Sequence, residues 1–527
     1  MEEPQAALEK AWASTCKVLF GEEAGSLPQY EKWLAELVDP TVVRKSSISG
    51  KEVIYSTANY SESAKSINLD EVDFNRKYPP LSINQIKDID SIASAIGDRA
   101  YYSGNVVLGN SKYVEKSANI SDCFYIYNTT LSSNDKYMAY CTQCRLDSYG
   151  FGGNAFSESE FCLKCHELTR VKRCFETWMT QDSANCYYSH GLKNCADCMF
   201  SFNLRNKRFA IGNLELPPDK YKGIKAKLLS EMLSGLKRDK RLPSLIEIAG
   251  RCGKPSAPKI PPAAQHTGPL DKSRIEEAFS RTMALLFCKK PLKGIDFYSG
   301  WLVRNTRNID IGKSASSGRS LYIAQYGNYS DLPRDRLLSL REAQALGASA
   351  RLEMADAESI TLASAHAKIG KIAFFNTEIN DGQNSNDIEC AVLIDAVNCY
   401  RTVCSAYSKY CAYSFWPQKS DSIFGCDIMF WCSFCVKCYN SVNLKRCLEM
   451  DSCSTCADCL FCHNCENLQN CMFCFNAKNL RNAIGNVEIG QERYAQLKKE
   501  ITGEIVKKVE KDHALKISVY NVGCRVQ

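Results

Sequence analysis

Small and apolar residues recur at every third position through two long stretches of the chain. All of the 29 cysteines except Cys16, Cys404 and Cys524 lie at residue numbers divisible by three. Other positions of this phase hold apolar residues such as Leu444 and Met450. We therefore predict that one phase of the triplet faces the interior, where cysteine fits as a small and usually buried residue.

This triplet spacing excludes the common regular structures. A step of three residues turns an α-helix by about 300°, so the cysteines would spread over every face. A flat strand would place them on alternating faces, and 3₁₀ helices rarely run for more than one turn. Polyproline bundles need glycine, but the stretch from Cys426 to Asn482 has neither glycine nor proline. The pattern instead predicts short straight pieces and corners that stack as a β-solenoid.

Asparagine often precedes the inward phase. It tolerates the left-handed backbone conformation that sharp corners use, so these residues are predicted at corners. They are Asn194, Asn203, Asn206, Asn464, Asn467, Asn470, Asn476, Asn479 and Asn482.

The chain is a tandem duplication. FCLKCHELTRVKRC (Phe161 to Cys174) aligns with FCVKCYNSVNLKRC (Phe434 to Cys447), a shift of 434 − 161 = 273 residues. Closer to the N-terminus, KSSISGK (Lys45 to Lys51) aligns with KSASSGR (Lys313 to Arg319), a shift of 313 − 45 = 268. The fold class predicted is mainly β with helices: two tandem cysteine-lined β-solenoid lobes, each with a helical N-terminal part and a closing C-terminal helix.

Composition and apolar spacing give the same division to each copy. The first copy, 1–252, comprises a helical opening 1–40, a mixed segment 41–115, a cysteine-rich solenoid 116–214 and a closing helix 217–240. A flexible linker, 253–269, follows because this stretch is rich in proline and alanine. The second copy, 270–527, comprises the corresponding parts 270–304, 305–384, 385–487 and 490–512.

The closing helices carry an apolar stripe at helical spacing. In the first copy it includes Tyr221, Ile224 and Leu228, and in the second it begins at Tyr494. The open end of a solenoid exposes unpaired backbone and an apolar cross-section. We therefore predict that Tyr221 and Tyr494 pack against the last coil of their own solenoid, in matching environments.

Zinc binding is the main alternative to packing as a role for the cysteines, because Cys-x-x-Cys pairs have the spacing of zinc ligands. Alignment of the copies weakens this alternative, since Cys195 aligns with Leu468 and Cys462 with Ser189. We predict buried, mostly free thiols and favour neither a metal nor another cofactor. If zinc is present, its candidate ligands are Cys141, Cys144, Cys162, Cys165, Cys195, Cys198, Cys432, Cys435, Cys438, Cys471 and Cys474.

Composition and charge give little evidence for a partner. The chain is 45% hydrophobic and 24% charged, with a net charge of +7 that is far from the dense basic face of a dedicated nucleic-acid binder. The N-terminal MEEPQAALEK lacks the basic region of a signal peptide, and no apolar run reaches the length of a membrane span. We expect a soluble cytoplasmic protein with no membrane partner.

Catalytic motifs are scarce. His190 and His463 occupy equivalent positions, four residues after Cys186 and Cys459, so a Cys/His pair is one hypothesis and a surface histidine the favoured one. A basic cluster at 237–241 is interpreted as a solvated helix end. Aromatic residues that could stack bases but more simply cover a solenoid end are Phe200, Phe202, Phe473 and Phe475.

One resemblance bears on the architecture. LRNKRFAIGN (Leu204 to Asn213) followed by Tyr221, and NLRNAIGN (Asn479 to Asn486) followed by Tyr494, resemble the end of a family of uncharacterised cysteine-rich prokaryotic repeat proteins. In that family Cys-x-x-Cys repeats finish in L-R-N-K-x-Y-x-I-x-N and a tyrosine-bearing helix. The second copy lacks the lysine and aromatic residue that the first keeps. The resemblance covers about half of the chain and implies no activity.

These observations favour a non-enzymatic scaffold, a subunit of a larger protein or ribonucleoprotein assembly that binds through solenoid faces. The alternative from another class is a zinc-bearing nucleic-acid or ribonucleoprotein-binding protein, and a third hypothesis is a thiol-dependent enzyme. Neither catalytic nor cofactor-binding residues are predicted.

Overall fold

The computed structural model describes residues 4–256, 258, 260, 271–287, 291–326 and 329–524. It is 27% helical and 33% strand, with many parallel strands. This content agrees with the strand-rich class with helices expected from the sequence. None of the helices in these residues is long and apolar enough to cross a membrane.

Both copies run from opening helices through a middle segment and a cysteine-rich region to a closing helix, although their middle segments differ in helix number. The helices are α1 (Pro4–Phe20), α2 (Glu31–Ala35), α3 (Ile89–Ala95), α4 (Pro218–Asp239), α5 (Leu245–Gly250), α6 (Ser273–Leu286), α7 (Ser299–Val303), α8 (Leu340–Ser349), α9 (Met354–Glu358), α10 (Ala365–Lys368) and α11 (Gln491–Asp512). Strands outside the cysteine-rich regions are β1 (Val42–Lys45), β2 (Glu52–Tyr55), β3 (Lys65–Asn68), β4 (Tyr101–Gly104), β19 (Ile309–Lys313), β20 (Ser320–Ala324), β21 (Leu337–Leu338) and β22 (Phe375–Asn376).

The cysteine-rich regions form one 14-stranded and one 13-stranded sheet, which we name tract 1 (residues 105–215) and tract 2 (residues 380–488). Tract 1 contains β5 (Val107–Leu108), β6 (Lys112–Glu115), β7 (Ala118–Ser121), β8 (Phe124–Tyr127), β9 (Thr130–Ser133), β10 (Lys136–Arg145), β11 (Ser148–Ser157), β12 (Glu160–Leu163), β13 (His166–Thr169), β14 (Lys172–Gln181), β15 (Ala184–His190), β16 (Ala196–Met199), β17 (Arg208–Ile211) and β18 (Leu214–Glu215). Tract 2 contains β23 (Asn380–Asp381), β24 (Ala391–Ile394), β25 (Val403–Ala406), β26 (Phe415–Gln418), β27 (Asp421–Phe424), β28 (Asp427–Phe430), β29 (Ser433–Val436), β30 (Tyr439–Val442), β31 (Leu448–Asp451), β32 (Leu460–His463), β33 (Gln469–Met472), β34 (Arg481–Ile484) and β35 (Val487–Glu488).

Strand pairing in both tracts repeats every twelve residues. Lys136 pairs in parallel with Ser148, Ser148 with Glu160, and Glu160 with Lys172. Every third residue through most of each tract has a positive φ, and all nine asparagines predicted at corners are among them. Each repeat of 12 residues therefore contains 12/3 = 4 positions with a positive φ.

The inward phase is buried, as predicted. Cys162, Cys174 and Cys186 share one apolar cluster of tract 1, where each is at most 1% exposed. The corresponding cluster of tract 2 holds the other cysteines predicted to be buried, each at most 3% exposed: Cys435, Cys453, Cys456, Cys459, Cys462, Cys465 and Cys471.

The closing helices also pack as predicted. Tyr221 on α4 is 1% exposed and lies 5.6 Å, between ring centroids, from Phe209 on β17. Tyr494 on α11 is 2% exposed and shares a core with Ile484 on β34. Both phenol hydroxyls are buried without a hydrogen-bond partner among the described residues, so the two environments match.

The two copies do not form separate cores, because their middle segments are exchanged. We name residues 41–104 arm 1 and residues 305–379 arm 2. Ile92 and Tyr102 of arm 1 belong to the core formed by α6, α11 and tract 2, whereas Ile323 and Phe375 of arm 2 belong to the core formed by α1, α4 and tract 1. Aligning the copies does not reveal this exchange, because an alignment shows which residues are equivalent and not which residues are in contact.

The predicted linker 253–269 lies mostly outside the described residues. The described part at its start is hydrogen bonded to arm 2, although several of its residues are exposed. Gly253 O accepts a hydrogen bond from Arg336 Nη2 at 2.7 Å, and Pro258 O accepts one from Ser316 Oγ at 3.0 Å.

Candidate functional site

A buried histidine lies where arm 1 meets tract 2, in a hydrogen-bonded cluster that includes the Asp–His pair found in catalytic triads. His463 Nδ1 lies 2.8 Å from Asp451 Oδ2, which also accepts a hydrogen bond from Tyr60 Oη at 2.6 Å. His463 Nε2 accepts a hydrogen bond from the backbone N–H of Ser103 at 2.8 Å. Since Nε2 is an acceptor, the ring carries its proton on Nδ1 and donates it to Asp451.

Amide side chains complete this cluster. Asn476 Nδ2 donates to Tyr101 O at 2.8 Å, and Asn476 Oδ1 accepts from Ser103 Oγ at 2.7 Å and from Asn464 Nδ2 at 2.7 Å. Arm 1 is thus held to tract 2 by a connected polar network in a dry environment, where each such bond is stronger than in water.

The cluster lacks the arrangement needed for nucleophilic catalysis. In an Asp–His triad the second ring nitrogen faces a hydroxyl or thiol nucleophile. Here that nitrogen is occupied by a backbone N–H, and the Cys459 thiol instead donates to Ala457 O at 3.1 Å. In tract 1 the Cys186 thiol donates to Ala184 O at 3.3 Å. Hydrogen bonding therefore offers no support for a Cys/His pair in either copy.

The expectation that these histidines lie at the surface is also wrong. His190 and His463 are both 0% exposed, because both lie on the side of a tract that the other copy's arm covers. His190 Nε2 accepts from Asn376 N at 3.2 Å, and Asn376 aligns with Ser103. The backbone contact of the histidine is therefore the same in both copies.

The tract 1 site differs because Trp178 stands where tract 2 has Asp451. The Nδ1 atom of His190 and both ring nitrogens of His166 have no hydrogen-bond partner among the described residues. Burial lowers the pKa of His190 to about 3 and raises the pKa of Glu167 to about 8, so both groups are neutral at pH 7. They line a cavity of about 10 Å³, which has room for a single water.

The inward thiols act as hydrogen-bonding groups of the stack. Cys426 Sγ donates to Phe424 O at 3.6 Å and accepts the N–H of Cys438, twelve residues later, at 3.4 Å. Serine forms the same pair of bonds: Ser414 Oγ donates to Ala412 O at 2.9 Å and accepts from Cys426 N at 3.1 Å. The side chain at an inward position thus satisfies backbone groups beside the corner, a role that the sequence pattern alone did not indicate.

All eleven candidate zinc ligands donate to the carbonyl two residues earlier, over 3.3–3.6 Å between sulfur and oxygen. Within the described residues no group of three or more His, Cys, Asp or Glu side chains is placed to hold a metal ion. Burial raises the pKa of Cys432 to about 12 and that of Cys462 well above its usual value. The Cys432 and Cys462 thiols therefore stay protonated at neutral pH, and the thiolate is the form that acts as nucleophile and metal ligand. By contrast, side-chain hydrogen bonds from neighbouring thiols, first of all Cys186 and Cys459, lower the pKa of Cys198 to about 5 and that of Cys471 to about 4.

Replacing Cys426 tests the hydrogen-bonding role. We expect Cys426→Ala to lower the free energy of unfolding by about 1–3 kcal/mol, because it leaves the buried Cys438 N–H unpaired. Cys426→Ser keeps both bonds and should therefore destabilise the protein less than Cys426→Ala. In an ordinary apolar core the order would be reversed, because a buried serine hydroxyl without a partner costs more than an alanine. Urea unfolding of both variants measures this order, and Ser414→Ala removes the equivalent acceptor, which is bonded to Cys426 N. A Cys426→Ala variant at least as stable as Cys426→Ser would contradict the role.

The remaining candidates from the sequence are structural. Three of the basic residues at 237–241 form ion pairs with acidic neighbours, for example Arg241 with Glu36 at 3.0 Å. The hypothesis of base-stacking aromatics is wrong for the four residues named, which are each at most 1% exposed. Phe200 stacks on Tyr188, and Phe475 lies edge-on to Tyr102.

The outward surface of tract 2 carries exposed aromatic side chains. Tyr407, Lys419 and Trp431 are positive-φ residues spaced twelve apart along tract 2, and Tyr407 is 54% exposed and Trp431 47% exposed. At this level the tracts touch, since Arg145 Nη1 donates to Gln418 Oε1 at 3.0 Å. The next residue of tract 1, Leu146, is 50% exposed. We name Leu146, Tyr407, Lys419 and Trp431 the corner patch.

No protein-family model, curated protein or solved structure matches this chain. Any function must therefore be argued from the described residues themselves.

Proposed function

We propose that the protein is a non-enzymatic scaffold, a structural subunit of a larger assembly that binds a partner protein through the outward faces of its tracts. In this proposal each tract is a β-solenoid with four three-residue sides to each twelve-residue coil. The thiols and the histidine cluster then serve the fold, and the exposed corners serve binding.

The observation that carries the proposal is the corner patch. Single exposed apolar residues are normal on a protein surface, but Tyr407 and Trp431 are both exposed at the same corner of coils that flank the one carrying Lys419, whose Nζ lies 5.8 Å from the Trp431 ring centroid. Tryptophan and tyrosine are enriched in protein interfaces, where they bury a large area at a low cost in side-chain entropy. The mild net charge of +7 favours a protein over a nucleic acid as the partner.

The corner patch can be tested in extracts of cells that contain the protein naturally. We expect native protein to run as an assembly heavier than its own 59.0 kDa. Tyr407→Ser/Trp431→Ser should run at the mass of one chain with an unchanged circular dichroism spectrum. Phe297→Ser is the matched control, since Phe297 is 70% exposed on a helix outside the patch. Wild-type protein running as a single free chain would contradict the proposal.

A metal measurement separates this proposal from the zinc alternative. Fewer than one zinc per purified chain is expected, because the candidate thiols are bonded to carbonyls and no three possible ligands converge among the described residues. Two or more zinc ions per chain, with sulfur at about 2.3 Å in X-ray absorption, would favour a zinc-bearing nucleic-acid binder instead.

A further inference from the structure

The two copies meet around a pseudo-two-fold axis. Arg145 and Gln418 are equivalent positions, since 418 − 145 = 273, and their side chains are hydrogen bonded at 3.0 Å. Asp39 and Arg307 are also equivalent, since 307 − 39 = 268, and their charged groups lie 3.9 Å apart. Contact between equivalent residues is the signature of an isologous interface, the kind that joins two identical subunits of a dimer.

Each arm docks on the closing end of the opposite copy. Arg99 of arm 1 is 8% exposed and its Nη1 donates to Gly485 O of tract 2 at 2.6 Å. Tyr102 Oη donates to Val519 O at 2.9 Å, beyond α11. The docking surface of arm 1 therefore has three parts: these hydrogen bonds, the polar network around His463, and a continuous apolar core.

Arm 2 repeats this docking on tract 1. Leu352 N donates to Gly212 O at 2.9 Å, which is the position equivalent to Gly485. Leu362 N donates to Glu231 on α4 at 3.1 Å, as Ile89 N of arm 1 donates to Glu504 on α11 at 3.0 Å. The two docking surfaces therefore use the same places on both copies.

We infer that the chain is a pseudo-dimer in which each half is the binding partner of the other, held together by the exchanged arms and not by the covalent connection. The exchange buries hydrophobic residues of each arm in the core of the other half, and domain-swapped dimers are held in this way. The interface fits a second copy of this fold, and it is separate from the corner patch.

The test uses the full chain with a site-specific protease sequence placed within 261–269. After cleavage of the folded protein, we expect one species of 59.0 kDa by light scattering and two fragments on a denaturing gel. Two half-sized species, or loss of protein from solution on cleavage, would overturn the inference. Because the readout is association of the halves, it is independent of any partner bound at the corner patch.

A pair of arginine variants of the cleaved protein locates the contact. Arg99→Ala removes the charged hydrogen bond to Gly485 O between the halves, and the dissociation constant of the halves should rise about 10- to 100-fold. Arg205→Ala is the matched control, because Arg205 donates to Gly191 O at 2.6 Å within tract 1 alone. Equal dissociation of the two variants would show that arm 1 does not hold the halves together.

Discussion

Lys437→Met is expected to lower the free energy of unfolding by about 2–5 kcal/mol, because it leaves two backbone carbonyls without the donor to which they are bonded. Lys437 is 0% exposed, and its Nζ donates to Trp301 O at 2.8 Å and to Arg304 O at 2.7 Å, at the end of α7. The attraction of nearby Glu449 keeps the pKa of Lys437 from falling below about 8 despite its burial. The methionine would leave two carbonyls and a buried carboxyl group without this partner.

The tract 1 copy provides an internal repeat of the experiment. Lys164 Nζ donates to Trp33 O at 2.7 Å and to Glu36 O at 2.6 Å, so Lys164→Met should cost a similar amount. Lys409→Met is the control, because Lys409 forms an exposed ion pair with Asp421 and should change stability by about 0.5 kcal/mol or less. Urea unfolding compares the three variants, and equal midpoints for all three would exclude a structural role for the buried lysines.

Asn470→Pro is expected to cost about 3 kcal/mol or more. Asn470 lies at a corner with φ of 53°, and its N–H donates to Ala457 O at 3.1 Å. Proline fixes φ near −65° and has no N–H, so it removes both features of the corner.

Asn470→Gly distinguishes corner geometry from other effects of the substitution. Glycine adopts a positive φ without steric cost and keeps the N–H, so this variant should stay within about 1 kcal/mol of the parent. The difference between the two variants in thermal or urea unfolding is the measurement. Similar stabilities for proline and glycine would mean that the left-handed corner does not contribute as described.

The triplet pattern predicts which residues face inward, because this phase holds for any coil whose length is a multiple of three. For the same reason it leaves the coil length open. The repeat of twelve residues becomes visible only from pairs of interacting side chains that are twelve residues apart. Examples are Asp451 with His463 and Arg446 with Asp458. With this spacing known, Asp451 is found from the sequence as the neighbour of His463.

Long-range partners could not be predicted in this way. Tyr60 and Ser103 belong to arm 1, and their contact with His463 depends on which tract the arm covers. The sequences of the two arms and of the two tracts are similar, so both pairings satisfy the same apolar pattern. The closing helices were easier to place, since the proline at Pro218 and the apolar stripe are local signals.

Because both halves of the pseudo-dimer belong to one chain, the residues that meet on its axis can differ, which is not possible in a homodimer. In a homodimer the residue on the axis must face itself, so an arginine meets an arginine and an aspartate meets an aspartate. Here Arg145 faces Gln418, and Asp39 faces Arg307. Opposite charges can therefore attract at a place where two identical chains would bring like charges together.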